Sequence, residues 1–509
     1  MNNKLLIMNW KKLQNGSDIR GVAIDGVEGE NVNLTPDIAN LLGKSFVQWL
    51  NNNYINVDVS VAVGTDSRIS GPSLKAAFIS GMSESGAIVF DCGIASTPAM
   101  FMTTVSGEKS TTAGVMITAS HLPFNRNGFK FFTNKGGLDK KDITEILRIA
   151  EEKEYASVAG NSSVTEWPFL DEYSMFLVDY IRTKANVKTN FEKPLQGLKI
   201  IVDAGNGAGG FFASKVLDQL GADTSGSQFL DPDGNFPNHV PNPEDKDAMQ
   251  SICDAVIQEK ADLGVIFDTD VDRSSIVDAM GNPVNRNSLI AMISAVILQE
   301  HPGSTIVTDS ITSEGLTKFI EQDLKGKHHR FQRGYKNVIN ESVRLNSEGE
   351  ESWLAIETSG HAALKENYFL DDGAYLVAKL LVEMAKLNAR GKTLPDLIET
   401  LEQPNNSKEF RFTIAVEDFA GYGKNVIAEL ENKVLQQSGW EVVTPNYEGI
   451  RVRCTASNEK GWFLLRMSLH DPVMPLNIES DIEGGIEVIA AKLKNILVDF
   501  EGLNIDVLV

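Results

Sequence analysis

VSVAVGTDSRISGPSLKAAFISGMSESGA, residues 59–87, opens on an apolar, β-branched run, breaks at a Gly-Thr-Asp-Ser turn and continues as a helical stretch. That is a strand feeding a helix, the unit of an α/β domain. The pattern returns in LKIIVDAGNGAGGFFASKVLDQLGA (198–222) and in STIVTDSITSEGLTKFIEQ (304–322). Spacings of about 110–140 residues are too long for a solenoid and predict three related α/β domains in series. A chain of 509 residues is also too long for one hydrophobic core.

Residues 404–509 break the pattern. EFRFTIAVEDF, a long helical stretch, GIRVRCTA and GWFLLRMSLHD alternate strand and helix without the Gly-rich turn, which predicts a smaller α+β domain. QPNNSKE (403–409) has the composition of a linker into it, and EYASVAGNSSVTEWP (154–168) and Gly281-Asn282-Pro283 mark earlier boundaries. The expected organisation is α/β domains over 1–160, 161–284 and 285–403, followed by α+β over 404–509.

At 42% hydrophobic and 23% charged residues the composition suits a globular chain. The apolar runs fall short of the ~20 residues a membrane span needs. MNNKLLIMNWKKLQNG has neither the cleavage site of a signal peptide nor the Arg/Ser richness of a transit peptide. Cys92, Cys253 and Cys454 are an odd, scattered set; they fit a reducing compartment, hence the cytoplasm, and no disulfide framework or Cys-based zinc site. A formal net charge of −22 without a Lys/Arg-rich run argues against a nucleic-acid partner. Small anions are still bindable where Arg and Lys gather beside Gly-rich turns.

DTDVDR, Asp268 to Arg273, follows the apolar run LGVIF and so sits at a strand's end. Asp268, Asp270 and Asp272 at i, i+2 and i+4 share a face if the chain is extended. Three crowded carboxylates call for a hard, oxygen-seeking cation such as Mg²⁺; the other reading is a solvated acidic loop. An EF-hand is excluded, because Arg273 and Ala279 stand where its Gly and Glu belong. An aspartyl-phosphate nucleophile of the DxDx(T/V) type is weakened by Asp272 in the Thr/Val position.

GVMITASHLPFNRNGFKFF (114–132) runs a β-branched strand into Thr118-Ala119-Ser120-His121. A serine at such a tip is presented to a cleft, with His121 able to orient a phosphate or hydroxyl and Lys130 to supply charge or a base. A serine-capped hairpin fits the segment alone equally well. No G-x-S-x-G elbow occurs in the chain.

GNGAGG (205–210) matches the dinucleotide pattern G-x-G-x-x-G, but no strand ending in Asp or Glu follows about 20 residues on, so a tight turn opening a helix is the expected role. IETSGH (356–361) places Glu357, Ser359 and His361 alternately, one face if extended, suited to vicinal sugar hydroxyls. RMSLHDP (466–472) offers Arg466, Ser468 and His470 to a phosphate, or is a surface turn.

In their order these motifs resemble the α-D-phosphohexomutase family, which includes phosphomannomutase/phosphoglucomutase and phosphoglucosamine mutase, over nearly the full length. GSDIRG (16–21) is similar to its N-terminal loop, VGTDSRISG (63–71) to its VGxDxRxSG segment, and TASH-x-P with NGxK to its phosphoserine loop. VDAGNGAG and DGNFPNHVPNP (233–243) have counterparts too. DTDVDR resembles the metal loop DxDxDR, RGYKNV (333–338) a substrate-phosphate loop, and ETSGH the sugar loop; KENYFLDDGAY (365–375) fits the phosphomannomutase/phosphoglucomutase style.

The resemblance implies four domains around a central cleft and phosphoryl exchange between C1 and C6 of a hexose, glucose or mannose. Ser120 would carry the phosphoryl group, with a hexose 1,6-bisphosphate as priming intermediate. One Mg²⁺ would be held by Asp268, Asp270, Asp272 and an oxygen of phosphorylated Ser120. Arg20 and Arg273 would assist electrostatically, with Lys130 or His361 as general acid/base. Glu357 and Ser359 would hold sugar hydroxyls; Arg333, Gly334, Tyr335 and Lys336, with Arg466, Ser468 and His470, would contact phosphate. The partner would be a small phosphosugar, with no nucleic acid or membrane, in a monomer or homodimer. One loop departs from the family's R-P-S-G-T-E-P: Leu469 replaces the flexible Gly and His470 the Thr. TASHLP in place of TASHNP is a milder change. The alternatives are phosphoglucosamine or another altered substrate, and a non-catalytic sugar-phosphate-binding relative.

Overall fold

The computed structural model describes residues 9–55, 57–106, 110–153, 155, 162–188, 190–468 and 471–508. Leu469 and His470 lie outside the described residues. The chain forms two compact units, residues 1–285 with 359–396, and residues 286–358 with 397–509.

The first unit holds two mixed sheets. The larger runs Gln14–Asn15, Asp18–Val22, Arg126–Thr133, Ala113–Ile117, Ser60–Thr65, Ile88–Ile94 and Ser163–Glu166, with Gly136–Gly137 added to Arg126–Thr133. Ser60–Thr65 lies parallel to both neighbours, and the strands from Ala113–Ile117 to Gln14–Asn15 pair antiparallel. The 59–87 segment thus reads as expected: strand Ser60–Thr65, turn, helix Gly71–Glu84. The helix Pro36–Asn53 starts where Thr35 accepts the Ile38 N–H, with Pro36 pre-set for the first turn. Its Phe46 packs on Phe131, and Phe78 of Gly71–Glu84 packs on Phe129, rings 4.7 and 4.9 Å apart.

The smaller sheet is ordered Pro283–Val284, Ser274–Asp278, Leu263–Phe267, Ile200–Asp203, the last two parallel and the other pairings antiparallel. After Ile200–Asp203 the GNGAGG turn opens a short helix with a π turn, Phe212–Leu217, and a 3₁₀ turn, Asp218–Leu220. The helix Gly373–Asn388, buried along most of its length, packs on the helix Phe169–Ala185 and on Ser274–Asp278.

In the second unit Thr305–Asp309 pairs parallel with Lys327–Phe331 and with Ser352–Ile356. The antiparallel sheet Asn406–Thr413, Val473–Ser480, Gly461–Leu465, Ile450–Cys454, Trp440–Val442 carries the helices Phe419–Val434 and Gly485–Leu497 over its apolar face. The expected succession of α/β layers followed by a smaller α+β segment is what the chain adopts, with mixed sheets in the α/β layers and an antiparallel sheet in the last segment. No helix among the described residues is long and apolar enough to cross a membrane.

Candidate active site

In the first unit, Ala113–Ile117 delivers the chain to Ser120. The Thr118 N–H bonds Gly128 O at 3.1 Å and its Oγ1 accepts the Ser120 N–H at 2.8 Å, tying the turn to the next strand. Ser120 stands at φ 51, a left-handed conformation that costs a residue with a Cβ about 1–2 kcal/mol. It is buried, and its Oγ lies 3.2 Å from Asp268 Oδ2, to which it donates, and 3.2 Å from His121 Nδ1. Burial, reinforced by Arg273, Arg20 and His361, pushes His121 down to about 3, so the imidazole beside Ser120 is neutral at physiological pH.

DTDVDR is a turn and not the extended segment expected from its spacing. Alternate residues on a strand lie about 6.5 Å apart, whereas here one oxygen from each of Asp268, Asp270 and Asp272 lies within 4.8 Å of the others. Val271 makes the turn, a β-branched residue at φ 67, where only strong surroundings hold such a side chain. Those surroundings are visible: Val271 is fully buried, its N–H bonds Asp268 O at 3.3 Å, and its carbonyl accepts the Gly373 N–H at 3.1 Å. Thr97 pins Asp270 twice, N–H to Asp270 O at 2.8 Å and Oγ1 to Oδ2 at 2.5 Å. From behind, the glycines of GNGAGG permit close packing: a Cβ on Gly207 would come within 2.7 Å of Thr269 O, and one on Gly210 within 2.1 Å of Leu230 O.

Cations surround the triplet. Lys130, on Arg126–Thr133, places Nζ 3.0 Å from Asp270 Oδ2 and bonds Asp272 Oδ2 as well. Arg273 folds back so that Nε meets Asp268 Oδ2 at 3.1 Å, while Nη1 bonds Asn242 Oδ1 at 3.1 Å. Arg20 donates to Ala119 O at 3.0 Å and to Asp18 at 3.1 Å. His361 Nδ1 bonds Asp371 Oδ2 at 2.5 Å and stands 3.9 Å from Asp272 Oδ1. Burial alone would lower its pKa, but Asp371 and Asp272 outweigh burial and raise it to about 9. Burial and Asp272 push Asp268 up; burial opposes the same group's ionisation at Asp272, yet Lys130, His361 and Arg273 hold Asp272 low. Asp270 Oδ1 and Asp272 Oδ1 are buried without a hydrogen-bond partner among the described residues. An all-oxygen donor set with two such oxygens is a candidate metal site. Ser359 Oγ in this unit is likewise buried and without a hydrogen-bond partner.

Residues 357–361 form a turn, with Gly360 at φ 94, so Glu357, Ser359 and His361 do not alternate along an extended segment as expected. Ser359 and His361 belong to the first unit and Glu357 to the second. In the second unit Glu357 Oε1 accepts the Gly334 N–H at 2.6 Å, at the start of the helix Tyr335–Ser347, which places Tyr335 and Lys336 in its first turn. Arg333 pairs through Nε with Asp309 Oδ2 at 3.5 Å, and its backbone N–H donates to Glu448 Oε2 at 3.3 Å. Arg466 Nη1 lies 3.9 Å from Glu448 Oε1, and Ser310 Oγ donates to the same carboxylate. Ser468 Oγ accepts the Asp471 N–H at 3.3 Å. Burial raises Asp309 against Arg333 and Thr358, and burial lowers Arg466 against Glu448. His470, expected beside them, lies outside the described residues.

Thr97, Asp371, Asp309 and Glu448 hold site residues in place and were not singled out in the sequence. Asp371 lay within KENYFLDDGAY, but its pairing with His361 spans ten residues and leaves no local pattern.

The chain matches family models for phosphoglucomutase/phosphomannomutase alpha/beta/alpha domain I over residues 11–157, domain II over 176–281 and domain III over 285–404. It is 31% identical over 489 residues to a phosphomannomutase/phosphoglucomutase of Pseudomonas syringae pv. tomato, covering 95% of each chain. It is 28% identical over 475 residues to a phosphoglucomutase of Neisseria gonorrhoeae, covering 93% of this chain and 95% of that one. A solved phosphoglucomutase/phosphomannomutase family protein from Burkholderia thailandensis superimposes with a TM-score of 0.77 at 26% identity, over 96% of this chain and 98% of the other. The chain belongs to the phosphoglucomutase/phosphomannomutase family of α-D-phosphohexomutases. With that membership the expected activity stands: a hexose phosphate mutase, an intramolecular phosphotransferase of the isomerase class.

Proposed function

We propose that the protein moves a phosphoryl group between the C1 and C6 oxygens of a glucose or mannose phosphate, with Ser120 as its carrier. The observation that supports this most is the buried Ser120 Oγ, 3.2 Å from Asp268, beside a carboxylate triplet with two oxygens that lack a hydrogen-bond partner among the described residues. The group on Ser120 would pass to the free hydroxyl of a sugar monophosphate, the Ser120 O–P bond breaking as the sugar O–P bond forms. The bisphosphate so made returns its other phosphoryl group to Ser120.

The oxygen donors suit Mg²⁺. Asp268, Asp270, Asp272 and an oxygen of the phosphorylated Ser120 would hold it, and the ion would offset charge developing on the phosphoryl oxygens. His121, neutral and in hydrogen-bond reach, orients the Ser120 hydroxyl when it is free of phosphate. Arg20 and Arg273 supply fixed positive charge. Proton traffic at the sugar hydroxyl falls to Lys130 and His361. With a pKa raised to about 9, His361 carries a proton at neutral pH and suits the acid half. Ser359 and Glu357 are proposed for sugar hydroxyls, and Arg333, Gly334, Tyr335, Lys336, Arg466, Ser468 and His470 for phosphate.

The Leu469-His470 departure favours a second reading, a mutase with an altered sugar such as glucosamine phosphate. Turnover of glucose, mannose and glucosamine 1-phosphates, with Mg²⁺ and the matching 1,6-bisphosphate as primer, decides between them. Conversion of none of the three sugars by the intact protein contradicts both readings.

A further inference from the structure

We propose that Arg68 is the positioning residue that sets the backbone of the Ser120 loop for phosphoryl transfer. This rests on the reading of Ser120 as phosphoryl carrier. Arg68 does not touch the Ser120 hydroxyl. It reaches the loop from the turn after Ser60–Thr65 and gathers main-chain oxygens. Nη1 donates to Pro123 O at 2.7 Å and Arg126 O at 3.0 Å, and Nη2 to Leu122 O at 2.5 Å and to Ser120 O. One guanidinium therefore binds four carbonyls of the segment 120–126.

That segment needs such a partner. It contains no helix or strand before Arg126, so no ladder reaches the carbonyls of Ser120 and Leu122, whereas Pro123 O also accepts the Arg126 N–H at 3.0 Å; a backbone carbonyl withdrawn from water without a partner costs free energy. Ser120 also holds its left-handed φ of 51 against steric preference. Bonds to the Ser120 carbonyl and to those just after it fix the peptide planes that define this conformation, and thereby the direction of Oγ.

Arg68 is itself fixed. Its side chain is 0% exposed, Nε lies 3.3 Å from Asp66 Oδ2, and Asp66 Oδ1 accepts the Arg68 N–H at 2.9 Å. The ring of Phe236 lies 5.4 Å from its guanidinium carbon. The turn bearing Phe236 approaches so closely that a Cβ on Gly234 would come within 2.4 Å of Ile69 N. A planar fork with five donors performs this task; a lysine ammonium has three donors on one atom and cannot span the four carbonyls.

The test uses full-length wild type, Arg68→Lys and Arg68→Ala. Hydrogen exchange is followed in peptides covering 118–126 and, as reference, 200–203 and 263–267. The Arg68→Lys exchange is expected to rise ~10-fold or more in 118–126 and stay at the wild-type rate in the reference strands. The kcat is expected to fall ~100-fold, with KM for the sugar phosphate changed less than ~3-fold, because the reacting oxygen is misdirected while substrate contacts persist. Guanidinium at millimolar concentration should restore part of the Arg68→Ala turnover. Unchanged exchange in 118–126, or a rise of the same size in every peptide, overturns the proposal. Exchange does not depend on catalysis, so an inactive wild type would count against the mutase reading while the exchange pattern still decides the role of Arg68.

Discussion

Replacing Lys130 with Met should destabilise the metal-free protein and disable it. The Nζ sits 3.0 Å from Asp270 Oδ2 and bonds Asp272, with the lysine side chain 6% exposed and the carboxylates 0% and 2%. At an effective dielectric of about 20, an ion pair at that distance is worth roughly 5 kcal/mol before desolvation, and two carboxylates within 4.8 Å of each other repel by about 3.5 kcal/mol or more. Removing one partner of a buried pair costs about 3–5 kcal/mol in measured cases, because the other charge stays buried. For a domain the size of the matched first family domain, residues 11–157, that is a fall in melting temperature of about 10 °C. The assay is thermal unfolding in EDTA and again with Mn²⁺ or Mg²⁺. The variant should melt about 10 °C below wild type in EDTA and regain most of the difference with the divalent cation, which replaces the lost positive charge. Turnover should fall ~10²–10⁴-fold if Lys130 moves a proton or neutralises developing charge. A variant that melts with wild type in EDTA and turns over at the wild-type rate would show that Lys130 neither neutralises the triplet nor takes part in turnover.

Asp371→Asn should release His361. Its folded pKa, about 9, lies above the ordinary value near 6.5, so the pairing stabilises fully below about 6.5 and is lost as pH rises through about 9. The variant should lose stability at pH 6 and show a flatter profile between pH 6.5 and 9 in denaturant melts; an unaltered profile would contradict the Asp371 assignment. Gly207→Ala would press a Cβ to 2.7 Å from Thr269 O. Since the neighbour is backbone of the metal loop, Mn²⁺ binding measured by calorimetry should weaken ~10-fold or more, about 1.4 kcal/mol, and wild-type affinity would show that the glycine serves only the turn.

The layers of the fold were legible because strand and helix differ in period, and the three strand–turn–helix segments carry both periods with Gly or Asp between them. Residue types at the site were legible for the same local reason: DTDVDR, TASH and ETSGH are short and their chemistry is in their side chains. Their conformations were not. The carboxylates of DTDVDR converge through a turn at Val271, a conformation a β-branched residue adopts only under tertiary constraint. ETSGH also turns instead of extending. Contacts that hold these loops join distant residues, Thr97 to Asp270, Arg68 to Ser120 and Asp309 to Thr358, and no periodicity records them. GNGAGG illustrates the converse: a pattern with a nucleotide precedent whose glycines answer to the backbone of Thr269 and Leu230.

Everything proposed for the mechanism passes through Ser120, whose Oγ meets the triplet at Asp268. The direct measurement is intact-protein and peptide mass spectrometry after incubation with glucose 1,6-bisphosphate and Mg²⁺, on wild type and Ser120→Ala. One added phosphate is expected, mapped to Ser120 and discharged on adding a sugar monophosphate, with none on Ser120→Ala and no mutase turnover by it. A Ser120→Ala protein that keeps wild-type turnover, or a stable phosphate on another residue, would contradict it.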